Sequence, residues 1–255
     1  MKTVLITGAS SGIGKEFAYL FAKNEYQIIL TARRKEALET IALECKIKYK
    51  SKVHVISHDL SVANSGITLA EKIDSLNLNV DVLINNAGYG DHGDFVKSDR
   101  KKGINMLQLN MVSLTELTHI YAQKMVKRND GKILNVASTA AFQPMVKFGI
   151  YAATKAYVLH LTEAIHFELK DTNVSVTALC PGATKTGFEE AANLQDSKLF
   201  DKYVMDAKTV AEAGYTGLMK NKMYVIPGTR NKIMSFLANA TPFRKLLIWI
   251  TSKLS

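Results

Sequence analysis

Tyr151 and Lys155 stand four residues apart, a spacing that puts two side chains on one face of a helix. A phenol beside a fixed ammonium is an acid/base device. Free tyrosine titrates near ~10, and an adjacent cation favours the phenolate, so the pair draws the phenol toward neutral pH. Chance also produces such pairs, as a half-buried tyrosine beside a solvated lysine. The surroundings therefore decide what the pair means. Residues 138–155 read STAAFQPMVKFGIYAATK. A strand-like run, KILNVA at 132–137, ends at Ser138, and a polar and aromatic loop leads into a helix that opens near Tyr151.

A second set of residues has the chemistry of nucleotide binding. TGASSGIG spans 7–14, after the β-branched run KTVLIT and before a helical pattern at Ile13, Phe17, Leu20 and Phe21. Strand, glycine-rich turn and helix in that order let backbone N–H groups hold a pyrophosphate. Gly8 permits the tight turn, Gly12 lets a phosphate approach the backbone, and Gly14 lets the helix pack close. Ser10, Ser11 and Ile13 complete the loop. The spacing is Gly-x-x-x-Gly-x-Gly rather than Gly-x-Gly-x-x-Gly. The second strand, Gln27–Ala32, ends at Arg33 and Arg34. An acid there would bind a ribose 2′-hydroxyl, whereas arginine accommodates a 2′-phosphate, so NADP(H) is expected over NAD(H). Lys15 adds positive charge to the first helical turn. Asp59 and Leu60 follow the third strand, Val53–Ser57; the Asp59 carboxylate suits the adenine amino group or the N-cap region of a helix over 63–76. A fourth strand over 80–84 leads into NNAG, where Asn86 can bond neighbouring turns and Ala87 and Gly88 leave room for a flat ligand.

The elements that must position these groups alternate strand and helix throughout. One long helix is expected over 99–128, with Ile104, Leu107, Met111, Leu114, Thr118, Tyr121 and Met125 on a continuous face and Asn110 beside it. Further helices are expected over 151–170 and 207–220, and strands over 174–180 and 223–226. Pro181-Gly182 breaks the sixth strand, and 183–206, with Thr184 and Thr186 near its start, reads as a lid with short helical pieces. The pattern predicts an α/β fold with a single Rossmann-type doubly wound parallel sheet.

The chain has 255 residues, 47% hydrophobic and 22% charged, which suits one domain with a large core. Residues 1–230 form the expected catalytic domain and 231–255 an amphipathic extension of it, split by Pro242. The second half of that tail, FRKLLIWITSKL, carries Trp249 and basic flanks. Packing on the domain or a subunit interface ranks ahead of peripheral membrane contact for it. Two cysteines, Cys45 and Cys180, make neither a disulfide framework nor a metal site, which points to a reducing, cytoplasmic compartment. The start has no signal-peptide pattern. Net charge is +10, but the basic residues are scattered and no nucleic-acid motif accompanies them.

TGASSGIG, Asp59-Leu60, NNAG, Asn110, Ser138, YAATK and PGATKT, in that order and spacing, resemble the short-chain dehydrogenase/reductase family over about residues 2–228. The resemblance implies a seven-stranded parallel sheet and an NADP(H)-linked oxidoreductase acting on a carbonyl or alcohol. It implies Tyr151 as acid/base, Lys155 on the nicotinamide ribose and lowering the tyrosine pKa, and Ser138 on the substrate oxygen. Asn110 would support a water-linked proton relay, and Pro181, Gly182, Thr184 and Thr186 would meet the nicotinamide end. It also implies a homodimer or homotetramer built through two long helices. Thr154 replaces the usual serine of the Tyr-x-x-x-Lys motif. Tyr89, Phe142, Met145, Phe148, Phe188 and Phe200 are candidate walls of an apolar substrate pocket. A noncatalytic NADP(H)-sensing protein on the same fold is the alternative; it needs the glycine turn but not the Asn110, Ser138, Tyr151 and Lys155 set.

Overall fold

The computed structural model describes residues 1–194 and 203–254. The order of elements is β1 (Thr3–Thr7), α1 (Gly12–Lys23), β2 (Gln27–Ala32), α2 (Lys35–Tyr49), β3 (Val53–Ser57), α3 (Ser65–Asp74) and β4 (Val82–Asn85). Then come α4 (Arg100–Leu107), α5 (Leu114–Arg128), β5 (Gly131–Val136), α6 (Gly149–Glu168), β6 (Val174–Leu179), β7 (Thr184–Lys185) and α7 (Phe188–Ala191). The chain closes with β8 (Met205–Asp206), α8 (Ala207–Met219), β9 (Tyr224–Val225), α9 (Thr229–Ala240) and α10 (Arg244–Leu254). Seven strands form one parallel sheet in the order β3-β2-β1-β4-β5-β6-β9.

The central strands β1, β4, β5 and β6 are buried almost throughout because both sheet faces are covered. Side chains alternate faces. Val4 and Ile6 of β1 join Phe17, Phe21 and Leu30 in one core, and Leu5 joins Ile29, Leu83, Tyr121 and Met125 in the other. The chain winds outward from β1 to β3 and returns to β4 beside β1. That reversal opens a crevice at the carboxyl ends of β1 and β4, the place where such sheets bind ligands. The two loops there are pinned together. Asn86 Nδ2 donates to the Thr7 and Gly8 carbonyls (3.0 and 3.1 Å), and the Asn86 and Ala87 N–H groups donate to Thr7 Oγ1 (2.9 and 3.0 Å).

The long helix expected over 99–128 is interrupted. Asp99 caps α4 by accepting from the Lys101 and Lys102 N–H groups, but Gln108–Ser113 is a π-helical turn before α5. A π turn adds a residue to the local repeat and rotates everything before it. Leu114, Thr118, Tyr121 and Met125 face inward as expected, whereas upstream the buried residues are Gly103, Met106 and Asn110, and Ile104 is exposed. The helix expected over 63–76 is shorter, because Asn64 in the left-handed region precedes its start. The final strand is only two residues long. Among the described residues no helix is long and apolar enough to cross a membrane.

Candidate active site

The turn between β1 and α1 needs its glycines. Gly8 and Gly12 have φ of +63° and +54°, and Cβ atoms there would come within 2.8 Å of Ala87 Cα and 2.7 Å of Thr186 Cβ. Gly14 has a different reason: a Cβ would lie 2.4 Å from the Gly8 carbonyl oxygen, so the helix could not begin where it does. Gly14 sits behind the crevice, while Gly8, Ser10, Ser11, Gly12 and Ile13 line it. The first turn of α1 carries no acid, and the Ser11 side chain makes no capping bond. The N–H groups and positive end of the helix dipole thus face the cleft without a competing carboxylate.

The cleft has a volume of about 730 Å³, within the range of small-molecule and cofactor sites. Arg33 and Arg34 line its outer end, and Arg34 Nη2 donates to Ser10 Oγ (3.2 Å), tying the end of β2 to the glycine turn. Asp59 and Leu60 line it too, with His58. Asp59 Oδ1 accepts from the N–H and hydroxyl of Ser61 (2.9 and 2.7 Å), as an Asx turn ahead of α3. Burial raises the Asp59 carboxyl pKa, but the Ser61 hydrogen bonds and the Arg33 charge outweigh it, and the net shift is downward. Asn86, Ala87 and Gly88 form the floor, and Pro181, Gly182, Thr184 and Thr186 the opposite wall.

The inner end holds Ser138, Tyr151 and Lys155 together. β5 delivers Ser138, whose Oγ accepts from the Ala140 N–H (3.1 Å) and reaches the Pro181 carbonyl only at 3.4 Å. Tyr151 and Lys155 are both buried on the inward face of α6. Lys155 Nζ donates to the Val136 carbonyl (2.8 Å) and lies 5.6 Å from the centre of the Tyr151 ring. The phenol ring stacks on Phe148 at 4.4 Å, with Phe188 tilted against it at 5.4 Å.

The electrostatics correct one expectation. Burial pushes the Tyr151 phenol up to about 12, against a smaller downward pull from the Ser138 hydrogen bond. The Lys155 ammonium sits over the ring, 5.6 Å from its centre, and burial pushes it down to about 8. Desolvation favours the neutral form of each group and is the largest influence on both. A sign follows for stability. Between the folded value of about 8 and the unfolded value of 10.5 the unfolded chain binds more protons at Lys155. Stability therefore rises with pH across that window. In urea titrations from pH 8 to 10, wild type is expected to gain stability relative to Lys155→Met; parallel profiles would refute the shift.

Asn110 lies behind the cleft and does not line it. The π turn carries it inward to full burial. Its Nδ2 donates to the Tyr89 carbonyl and Thr154 Oγ1 (2.9 and 3.1 Å), and its Oδ1 accepts from the Tyr89 N–H (3.2 Å). In the structure Asn110 is a clamp between the loop after β4 and α6. Thr154, the residue that replaces the usual serine, is one half of that clamp.

Of the candidate substrate walls, Tyr89, Met145, Phe148 and Phe188 line the cleft. Phe142 does not; it packs under α6 with Val158 and Leu159. Phe200 lies outside the described residues. Sequence reasoning missed Leu109, Gln143 and Leu194, which also line the cleft. Leu194 carries no local signal, because the short helix α7 alone brings it back to the aromatic wall.

The chain is similar to known proteins in sequence and in fold. The sequence profile described as short chain dehydrogenase matches residues 2–197. An NADP-dependent 3-hydroxy acid dehydrogenase of Schizosaccharomyces pombe is 34% identical over 189 residues, covering 73% of each chain. The ketoacyl reductase HetN of Nostoc is 28% identical over 247 residues, covering 96% of this chain and 81% of that one. Among solved structures, a short-chain dehydrogenase from Sphingobium yanoikuyae in complex with NADPH superposes with a TM-score of 0.84 at 29% identity, over 96% of this chain and all of that one. A parallel sheet that opens at the glycine turn, with a Ser-Tyr-Lys group at the inner end of the opening, thus agrees with a profile match over most of the chain, and this protein belongs to the short-chain dehydrogenase family.

Proposed function

We propose that the protein is an NADP(H)-dependent oxidoreductase acting on a small, largely apolar carbonyl or alcohol, with Tyr151 as the acid/base. The observation that carries this reading is the layout of one cleft. A helix N-terminus and two arginines stand at its outer end, and a buried Tyr151, Lys155 and Ser138 at its inner end. The residues fit a dinucleotide: the glycines leave the space that Cβ atoms would fill, and α1 offers N–H donors with no acid beside them. Gly8, Ser10, Ser11, Gly12 and Ile13 would hold the pyrophosphate, Arg33 and Arg34 the 2′-phosphate, and Asp59 the adenine. Asn86, Ala87, Gly88, Tyr151, Lys155, Pro181, Gly182, Thr184 and Thr186 would surround the ribose and nicotinamide. When bound, the nicotinamide supplies or accepts a hydride.

The chain's own residues handle the proton. A phenol kept protonated by burial is in the form that donates to a carbonyl oxygen. Ser138 Oγ is held by the Ala140 N–H, and its long bond to Pro181 leaves its proton free to turn to the same oxygen. One such donor is commonly worth ~3 kcal/mol in the transition state. Lys155 spends one N–H on Val136 and keeps two for ribose hydroxyls and for charge beside the developing phenolate. Asn110 acts through others, fixing Tyr89 and the start of α6. Phe148, Phe188, Met145 and Leu194 supply the apolar walls.

An NADPH-oxidation screen tests the reading, with NADH in parallel. The panel spans 3-oxo esters, bulky aryl ketones, steroid ketones and aldehydes. Turnover of at least one class with NADPH is expected. NADPH binding without turnover of any carbonyl, and without reduction of NADP by the matching alcohols, would favour the sensing alternative.

A further inference from the structure

The tail presents its apolar side outward. α9 meets the domain through Asn231, Ser235 and Ala238, which recur on one side of a helix, and Ser235 and Ala238 are buried. At 100° per residue, Ile233, Met234, Phe236 and Leu237 fall on the remaining arc, each more than half exposed. α10 repeats the arrangement. Leu247 and Thr251 face in, while Leu246, Ile248, Trp249 and Ile250 are 39–59% exposed, and Phe243 in the connection is 69% exposed. Buried small residues and exposed large ones reverse the usual order of a surface helix, and contiguous bare apolar surface marks an interaction site.

Charge decides what covers it. Residues 229–255 contain Arg230, Lys232, Arg244, Lys245 and Lys253 and not one Asp or Glu. A second copy placed tail to tail by a two-fold axis would set these cations against their own images. An anionic bilayer offers both halves of the complement, acyl chains for the apolar arc and phosphates for the cations. Trp249, with Lys253 Nζ at 5.9 Å from its ring, suits the headgroup level. Twelve and eleven residues of helix reach about 18 Å, well short of the ~30 Å hydrocarbon core, so the helices lie in the interface rather than span it.

We propose that α9 and α10 form a monotopic docking surface for anionic phospholipid. The surface adjoins the cleft: α9 packs on the turn Thr139–Phe142, and a Cβ on Gly182, in the cleft wall, would lie 2.6 Å from Asn231 Nδ2. Docking therefore turns one wall of the cleft toward the bilayer.

Trp249 is the chain's single tryptophan, so emission excited beyond the tyrosine absorption band reports from the tail alone. With the 255-residue chain, phosphatidylglycerol/phosphatidylcholine vesicles at low salt are expected to shift its emission to the blue, and brominated lipid to quench it. The protein should float with these vesicles and not with pure phosphatidylcholine. At about fivefold in partition per basic residue near an anionic surface, Arg244→Gln with Lys245→Gln is expected to weaken binding about 25-fold. Phe236→Gln with Phe243→Gln changes only well-exposed side chains and is expected to abolish flotation while leaving circular dichroism unchanged. No flotation with anionic vesicles overturns the proposal, as does equal binding to neutral ones. A concentration-dependent dimer that shifts Trp249 emission without lipid would assign the face to a second copy instead.

Discussion

Tyr151→Phe is expected to lower kcat by about 10²–10⁴-fold, the usual contribution of a positioned acid/base, with the Kd for NADPH essentially unchanged. The substitution removes one oxygen and little else. The ring keeps its stack on Phe148 at 4.4 Å and its contact with Phe188 at 5.4 Å, so the walls of the cleft stay in place. Lys155 keeps its bond to the Val136 carbonyl. The loss thus falls on the proton rather than on binding, and kcat and kcat/KM should drop together. Steady-state kinetics on the best substrate of the screen, with NADPH binding followed by fluorescence enhancement, separates the two. Turnover near the wild-type level would mean that another group moves the proton.

The second large effect concerns the nucleotide. Arg33→Ala and Arg34→Ala are each expected to raise the KM for NADPH by about 10- to 100-fold, since hydrogen bonds to charged groups contribute about 1.5–3 kcal/mol. The KM for NADH should move little. Arg34 should show the larger loss. Its guanidinium is already anchored on Ser10, so less side-chain freedom is lost on meeting a phosphate. Both side chains stand at the end of β2 with no acid beside them in sequence, which leaves a ribose 2′-hydroxyl without a carboxylate acceptor. Proportional losses for NADH and NADPH would show that the arginines act generally on the cleft and would defeat the phosphate reading.

Residues 1–60 were legible because their signals are local. Short apolar runs bounded by glycine, and a helical repeat directly after TGASSGIG, specify strand, turn and helix through backbone geometry that each segment satisfies alone. The structure reproduces Gln27–Ala32 and Val53–Ser57 as strands without change. Residues 99–128 were less legible. Apolar spacing there reads as one helix, because a π turn has no composition of its own; it forms because packing draws Asn110 inward to bond Tyr89 and Thr154. The same limit governed the aromatic residues. Phe142 and Phe148 flank one loop, yet one is core packing and the other lines the cleft.

By itself the sequence determined the order of elements, the glycine turn, the arginines at the end of β2 and the shared face of Tyr151 and Lys155, since each depends on spacing along the backbone. Tertiary structure alone decided the rest. It brought Leu194 to the cleft wall and turned Asn110 from a residue beside the apolar face of a helix into a buried clamp. It also reversed the expected shift of Tyr151. That last decision shows the physical reason. A neighbouring charge can be read from sequence spacing, but the loss of water around both groups comes from elements far apart in the chain, and in this cleft desolvation is the largest influence on each.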